Sequence, residues 1–231
     1  TSDGFQVDAD VKVNTNAEDY VSWNWKESAT SGFDIVTYEG TGSAKTESHS
    51  LSAVPHLMII KNIDTGSESW LVYHASLGNG KAMKLDVNIT EGTNTAFWND
   101  TTPTTSVFTV GSDGASNDNT KTHIAYLFSE KQGFSKFGSY VGNGSTDGTF
   151  IHTGFRPAFI MIKITTTADS WQMFDTKRST SNFVRDLLLA DTSAAEEATD
   201  RIDILSNGFK SRTANYGVNY SGDTYIYMAF A

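Results

Sequence analysis

Gly32-Phe33-Asp34-Ile35-Val36-Thr37-Tyr38-Glu39-Gly40-Thr41-Gly42-Ser43 and Gly133-Phe134-Ser135-Lys136-Phe137-Gly138-Ser139-Tyr140-Val141-Gly142-Asn143-Gly144-Ser145 are two versions of one pattern. Tyr-x-Gly-x-Gly-Ser returns at an offset of 102, from Tyr38 to Tyr140. The closely spaced glycines, Gly40, Gly42, Gly142 and Gly144, sit where tight turns need positive φ.

The match extends outward from this stretch. His49, Pro55, Leu57-Met58-Ile59-Ile60 and Lys61 are answered by His152, Pro157, Phe159-Ile160-Met161-Ile162 and Lys163. Trp70-Leu71-Val72-Tyr73 is answered by Trp171-Gln172-Met173-Phe174. The closing stretch from Val107-Phe108 to Phe128 is answered by that from Gly208-Phe209 to Phe230. A third copy of this closing half opens the chain, from Gly4-Phe5 to Trp25, with Phe5 and Phe108 separated by 103. Self-similarity at a fixed period signals a repeated structural unit. The chain therefore reads as residues 1–29, the closing half of a unit folded as a β-hairpin; residues 30–132, a first full β unit; and residues 133–231, a second. The opening hairpin could instead complete a sheet of the first unit. Starting inside the pattern, the chain reads as a piece of something longer or a processed product.

Strand periodicity fits this division. Phe5, Val7, Ala9, Val11 and Val13 alternate strictly, as do Val21, Trp23 and Trp25. The apolar runs 57–60 and 159–162 fit strands covered on both faces, and Pro55 and Pro157 stand just before them, where a missing N–H costs no ladder bond. Trp70 and Trp171 recur in register and read as core. Helix signals are thin: residues 182–189 allow two turns and residues 193–200 one or two. The expected fold is all-β, with tandem antiparallel β-sandwich-like repeats of about 100 residues and little helix.

Composition narrows the function. With 19 Gly, 3 Pro and 12% aromatic residues, the 231-residue chain suits many short strands joined by polar turns around a sizeable core. It has no cysteine, so neither disulfides nor thiolate chemistry contribute. A formal charge of −10 repels phosphate backbones and anionic lipid, and no apolar run approaches a membrane span, so neither nucleic-acid binding nor membrane insertion is expected. Residues 1–26 lack the basic-then-apolar pattern of a signal peptide.

Motifs of catalysis are missing. No Gly-x-Ser-x-Gly elbow or Walker loop occurs, and none of the five histidines, His49, His56, His74, His123 and His152, shows the spacing of a zinc helix. Glu196, Glu197, Asp86, Glu91, Asp175 and Asp203 are the carboxylates a glycoside hydrolase could draw on, but in a strand Glu196 and Glu197 would point to opposite faces. Two candidate binding sites remain. Residues 111–119 are dense in oxygen side chains, and Asp113, Asn117, Asp118 and Asn119 are the candidate calcium ligands, although the EF-hand register is missing. Trp98, followed by Asn99 and Asp100, has no counterpart in the second unit; core packing is the first reading of such an indole, and beside Asn and Asp it could instead stack on a sugar ring. No other cofactor is expected.

Gly138-Ser139-Tyr140-Val141-Gly142-Asn143-Gly144-Ser145-Thr146-Asp147-Gly148, Thr153-Gly154-Phe155-Arg156-Pro157 and Thr224-Tyr225-Ile226-Tyr227-Met228-Ala229-Phe230-Ala231 carry a resemblance that covers nearly the whole chain. They resemble an uncharacterised repeat of tail-fibre and other structural proteins of tailed phages, especially marine ones. The resemblance implies a virion component, assembled in the host cytoplasm and extracellular when mature, with other virion subunits as partners and homo-oligomers common. It implies no catalytic residues. The leading expectation is a non-enzymatic appendage module that binds host-surface glycans by avidity. A purely structural shaft, capsid-decoration or filament subunit is the second reading. A glycan depolymerase, which needs two carboxylates about 5–10 Å apart, is the third.

Overall fold

The computed structural model describes residues 4–231. The first half of the chain supplies β1 (Phe33–Glu39), β2 (Lys45–Ser48), β3 (Leu57–Asn62), β4 (Leu71–His74), β5 (Lys81–Lys84), β6 (Gly92–Thr93), β7 (Val107–Val110) and β8 (Thr122–Phe128). The second supplies β9 (Ser135–Val141), β10 (Phe150–His152), β11 (Phe159–Ile164), β12 (Gln172–Asp175), β13 (Phe183–Leu189), β14 (Glu197–Leu205), β15 (Gly208–Ser211) and β16 (Thr224–Phe230). Helix among the described residues is confined to three four-residue turns, α1 (Val11–Asn14), α2 (Thr95–Trp98) and α3 (Gly114–Asn117). The fold is all-β, as expected.

The strands form a six-stranded sheet in the order β1-β8-β3-β4-β5-β6, a small β2-β7 sheet, and an eight-stranded sheet in the order β10-β15-β14-β13-β12-β11-β16-β9, all antiparallel. The eight-stranded sheet is a nearly closed barrel rather than a sandwich. Its two end strands approach where the Thr149 hydroxyl donates to the Val141 carbonyl at 3.2 Å. One apolar core draws on every strand, including Tyr140, Ile151, Ile162, Phe174, Leu187, Ile202, Phe209 and Tyr227. A register shift between Val184 and Asp186 marks a bulge in β13, and bulges bend and twist strands enough to curl a sheet.

That bulge also explains a misread segment. Residues 183–189 are strand β13 and residues 197–200 begin β14, not helix. Val184 and Leu187 both face the barrel core, three residues apart. The inserted residue moves the strand period of two to an apparent helical spacing of three.

Residues 57–60 of β3 and 159–162 of β11 are continuously apolar because both faces are covered. Met58 and Ile60 enter the core of the first half with Tyr38, Leu71, Phe108 and Leu127. Ile160, Ile162 and Ile164 enter the barrel. The alternate residues Leu57, Phe159 and Met161 turn to a third cluster lying between the two sheets, with Phe128, Phe137, Ile226, Met228 and Phe230. Its rings meet edge-on: Phe128–Phe230 at 5.8 Å and Phe137–Phe230 at 5.7 Å. Burial of this slab on both sides joins the halves into one body.

Polar groups trapped at the slab are bonded across it. The Trp171 indole donates to the Lys84 carbonyl at 2.8 Å, Lys163 Nζ to the Ile89 carbonyl at 2.9 Å, and the Glu91 N–H to the Thr165 carbonyl at 3.0 Å. Trp70 does not share the burial of Trp171. It is half-exposed and stacks on Tyr126, with ring centroids 6.4 Å apart.

The hairpin expected over residues 1–29 is not formed among its described residues 4–29. Residues 11–14 are helical, and Phe5, Val7, Val11 and Val13 are exposed. Alternation alone does not make a strand when no neighbouring edge satisfies its backbone groups. Trp23 and Trp25 do alternate with exposed Ser22 and Asn24, but as extended chain laid on the slab. Trp25 contacts Phe128, Phe159 and Phe230, and Trp23 contacts Phe159.

His74 makes the slab sensitive to acid. It is buried, its Nε2–H donates to the Tyr227 carbonyl at 3.1 Å, and its Nδ1 accepts the Ser76 N–H at 3.1 Å. Burial, opposed by the Tyr227 bond, lowers its pKa from 6.5 to about 4. The folded protein therefore binds fewer protons than the unfolded chain, and stability falls as pH drops through 6.5, levelling off below the folded value. The shift corresponds to a loss of about 2 kcal/mol by pH 5. Urea unfolding at pH 7.5 and pH 5.0 should show a smaller acid loss for His74→Leu than for wild type, by about 2 kcal/mol. Equal losses in the two proteins would remove His74 as the cause.

Candidate functional site

Trp98 is not a sugar platform. The Asn94 side chain caps α2 by accepting the Ala96 N–H at 2.9 Å, and the short helix carries Trp98 inward to 1% exposure. The indole packs edge-on against Tyr73, with centroids 5.6 Å apart, and donates to the Lys81 carbonyl at 2.8 Å. It fills the core of the first half, where the barrel of the second half uses Ile202 and Ile204 from a nine-residue strand. Asn99 and Asp100 stay at the surface with φ of 50° and 47°. Asn and Asp tolerate this left-handed turn better than most residues. The three residues are adjacent in sequence but share no accessible face.

The oxygen-rich loop serves the chain's own backbone. Asp113 caps α3 by accepting the Ala115 N–H at 3.0 Å. Asn117 is fully buried; its Oδ1 accepts the Thr41 N–H at 2.8 Å, and its Nδ2 donates to the Ser43 and Gly111 carbonyls at 2.6 and 2.5 Å. The Asp118 N–H donates to His123 Nε2 at 3.3 Å, and Asn119 is exposed. The structure does not bring the four proposed calcium ligands together. No group of three or more His, Asp or Glu side chains is placed to hold a metal ion among the described residues.

The carboxylates considered for hydrolysis are all partnered, Asp175 and Glu196 by the same arginine. Asp175 and Glu196 bond Arg178 at 2.6 and 2.7 Å, and Asp203 meets Arg212 at 3.4 Å. Glu197 lies 3.7 Å from Arg201, Glu91 pairs with Lys81, and Asp86 accepts the Trp70 N–H at 3.2 Å. His49 bonds the Leu51 N–H in its own loop and the Thr104 carbonyl in the loop before β7.

An exposed aromatic site lies elsewhere, in the loop joining β15 to β16. The buried Asn219 repeats the work of Asn117: its Oδ1 accepts the Asn143 N–H at 3.0 Å, and its Nδ2 donates to the Ser145 and Thr213 carbonyls at 2.8 and 3.0 Å. The Tyr225 hydroxyl donates to the Tyr216 carbonyl at 2.6 Å and accepts the Tyr220 N–H at 2.8 Å. Between them, Gly217 lies so close to Gln172 that a Cβ would overlap its side chain. These bonds hold the backbone and leave two side chains free. Tyr216 and Tyr220 are 46% and 40% exposed and stack on each other, with ring centroids 3.8 Å apart and planes 16° from parallel. A side-chain hydrogen bond with Tyr220 raises the Tyr216 pKa above the usual phenol value. On the same rim, the Thr166 and Thr167 hydroxyls donate to Asp223 Oδ1 at 2.7 and 3.4 Å.

The signal for this pair was present in the sequence. At the offset of 102, Tyr216 faces Gly114 and Tyr220 faces Asp118, so both are aromatics without a counterpart. The same criterion singled out Trp98, but it cannot tell an unmatched aromatic that plugs a core from one that stands on a surface.

A family model described as a domain of unknown function (DUF7483) matches residues 1–231, and the chain belongs to that family. No curated protein and no solved structure matches it.

Trp98→Ala should behave as a core deletion, costing about 3–5 kcal/mol of unfolding free energy. Chemical denaturation measures this directly. A loss below about 1 kcal/mol would mean that the indole is not holding the first core.

Proposed function

We propose that the chain is a non-enzymatic module of a tailed-phage virion appendage and that it binds host-surface glycans through Tyr216 and Tyr220. The observation carrying the proposal is the exposed tyrosine stack on a bonded loop. Two rigid, amphipathic rings give apolar area for the C–H face of a sugar at low entropic cost, and the surrounding Asn, Thr and Asp groups can meet its hydroxyls. The resemblance of residues 138–148, 153–157 and 224–231 to phage appendage repeats supports the virion location.

On this reading the scaffold is a tandem pair of units, residues 30–132 and 133–231, with residues 1–29 related to their closing halves. The strand orders support the pairing: β1-β8-β3-β4-β5 parallels β9-β16-β11-β12-β13, and β2-β7 parallels β10-β15. Equivalent side chains also make equivalent bonds. Tyr38 donates to the Ser116 carbonyl at 2.5 Å and Tyr140 to the Val218 carbonyl at 2.7 Å, each across 78 positions. A purely structural role is the second reading, favoured by the slab that makes both halves one stiff body.

A broad glycan array probed with wild type and with the Tyr216→Ala/Tyr220→Ala double variant separates the readings. Both rings reach solvent and only their backbones tie the loop, so the double variant should keep the wild-type melting temperature. Saturable wild-type binding that weakens at least tenfold in the variant supports adhesion; tenfold corresponds to about 1.4 kcal/mol, within reach of two lost aromatic contacts. Absence of binding by folded wild type in its native oligomer favours the structural role.

A further inference from the structure

We infer that the glycan held by Tyr216 and Tyr220 is an uncharged pyranose, plain or N-acetylated, rather than a uronate, sialylated or sulfated sugar. This rests on the reading of the tyrosine pair as the glycan site.

Strand order places four loops at the end of the barrel where the pair stands. β9, β11, β13 and β15 all finish there, and β10, β12, β14 and β16 all begin there, as the pairings Ile164 with Tyr225, Gln172 with Leu189 and Ile202 with Ser211 require. The four connections are residues 142–149, 165–171, 190–196 and 212–223. They contain Asp147, Asp169, Asp191, Glu196 and Asp223, against a single basic residue, Arg212.

The cations nearby are committed. Arg212 meets Asp203 at 3.4 Å, Arg201 lies 3.7 Å from Glu197, Lys210 pairs with Asp147, and Arg178 bonds both Asp175 and Glu196. Lys163 lies buried below the rim and spends Nζ on the Ile89 and Ile164 carbonyls. Asp169 and Asp191 receive the Ser170 and Trp171 N–H groups, and Asp223 receives the threonine hydroxyls. None of these last three carboxylates has an ion-pair partner among the described residues. The platform thus sits in a negative field on a chain of net charge −10. An anionic sugar meets like charge there, and the guanidinium and ammonium groups nearby each already face a carboxylate or carbonyl of the chain. A neutral sugar stacks on the tyrosines and donates its hydroxyls to carboxylate and amide oxygens.

Titrate the full chain with neutral and N-acetylated oligosaccharides and with oligouronate and sulfated oligosaccharides, at 20 mM and 300 mM salt. Repeat with Tyr216→Ala and Tyr216→Phe. The expected result is neutral-probe binding that is insensitive to salt, lost at least tenfold in Tyr216→Ala and retained in Tyr216→Phe, with acidic probes at least tenfold weaker at low salt. Acidic probes that bind as well as neutral ones, and are lost in Tyr216→Ala, overturn the uncharged class while the tyrosine site stands. Binding unchanged by Tyr216→Ala, or no binding of either class by the folded chain, overturns the tyrosine site and the class together.

Discussion

The apolar slab between the two sheets is the constraint on which the rest of the structure depends. Phe128, Phe159 and Phe230, with Trp25 laid against them, have to be removed from water on a face where an ordinary antiparallel sheet would be polar. β3, β8, β11 and β16 are therefore covered on both sides, and neither half can present its slab face to solvent without exposing a large apolar patch. Apolar packing is nondirectional and would tolerate sliding. The Trp171 indole, Lys163 ammonium and His74 imidazole each reach a backbone carbonyl of the other half, and misplacing any of them would leave a buried donor unmet. The rings supply the attraction, and the donors supply the register.

Against that shared frame, the halves differ where the frame does not dictate. The second closes its core with a nine-residue strand, whereas the first uses a two-residue strand and α2, with one indole filling the volume. The loops held by Asn117 and Asn219 show the same contrast. In each, a buried amide fixes the backbone by three or more hydrogen bonds, so the residues pointing outward are released from any structural duty. In the first half the matching positions hold Gly114 and Asp118. In the second they hold Tyr216 and Tyr220.

How much of this could be read from the residues depended on whether a side chain's role was local. The doubly apolar runs 57–60 and 159–162 announced strands covered on two faces, because burial on both sides removes the alternation itself. The glycine pairs were legible as turns, although only Gly42 and Gly144 take positive φ. Gly40 and Gly142 are needed because the backbones of Asp118 and Tyr220 pass too close for a Cβ. Closure of the second sheet was hidden in one bulge, which disguised β13 as helix. The opening segment misled in the opposite way, since perfect alternation in Phe5, Val7 and Val11 had no strand edge to meet. The candidate site was half-legible: the absence of a repeat partner marked Trp98, Tyr216 and Tyr220 alike, and only depth separated them.

A shallow platform on a stiff body has a definite energetic profile. Two tyrosine faces offer little area, so a single contact with a sugar is weak whatever its fit. The loop beneath them is already ordered by Asn219 and Tyr225, so little backbone freedom remains to be lost on binding. The slab extends that stiffness across the chain, so a platform on one end of the barrel keeps its direction relative to the first half. Rigidity of this kind adds nothing to one contact. It matters when several copies face one surface together, because the effective concentration of the second contact depends on how well its position is fixed by the first. On the proposed reading, the apolar slab serves adhesion as much as stability: it converts a weak, oriented contact into one that can be summed.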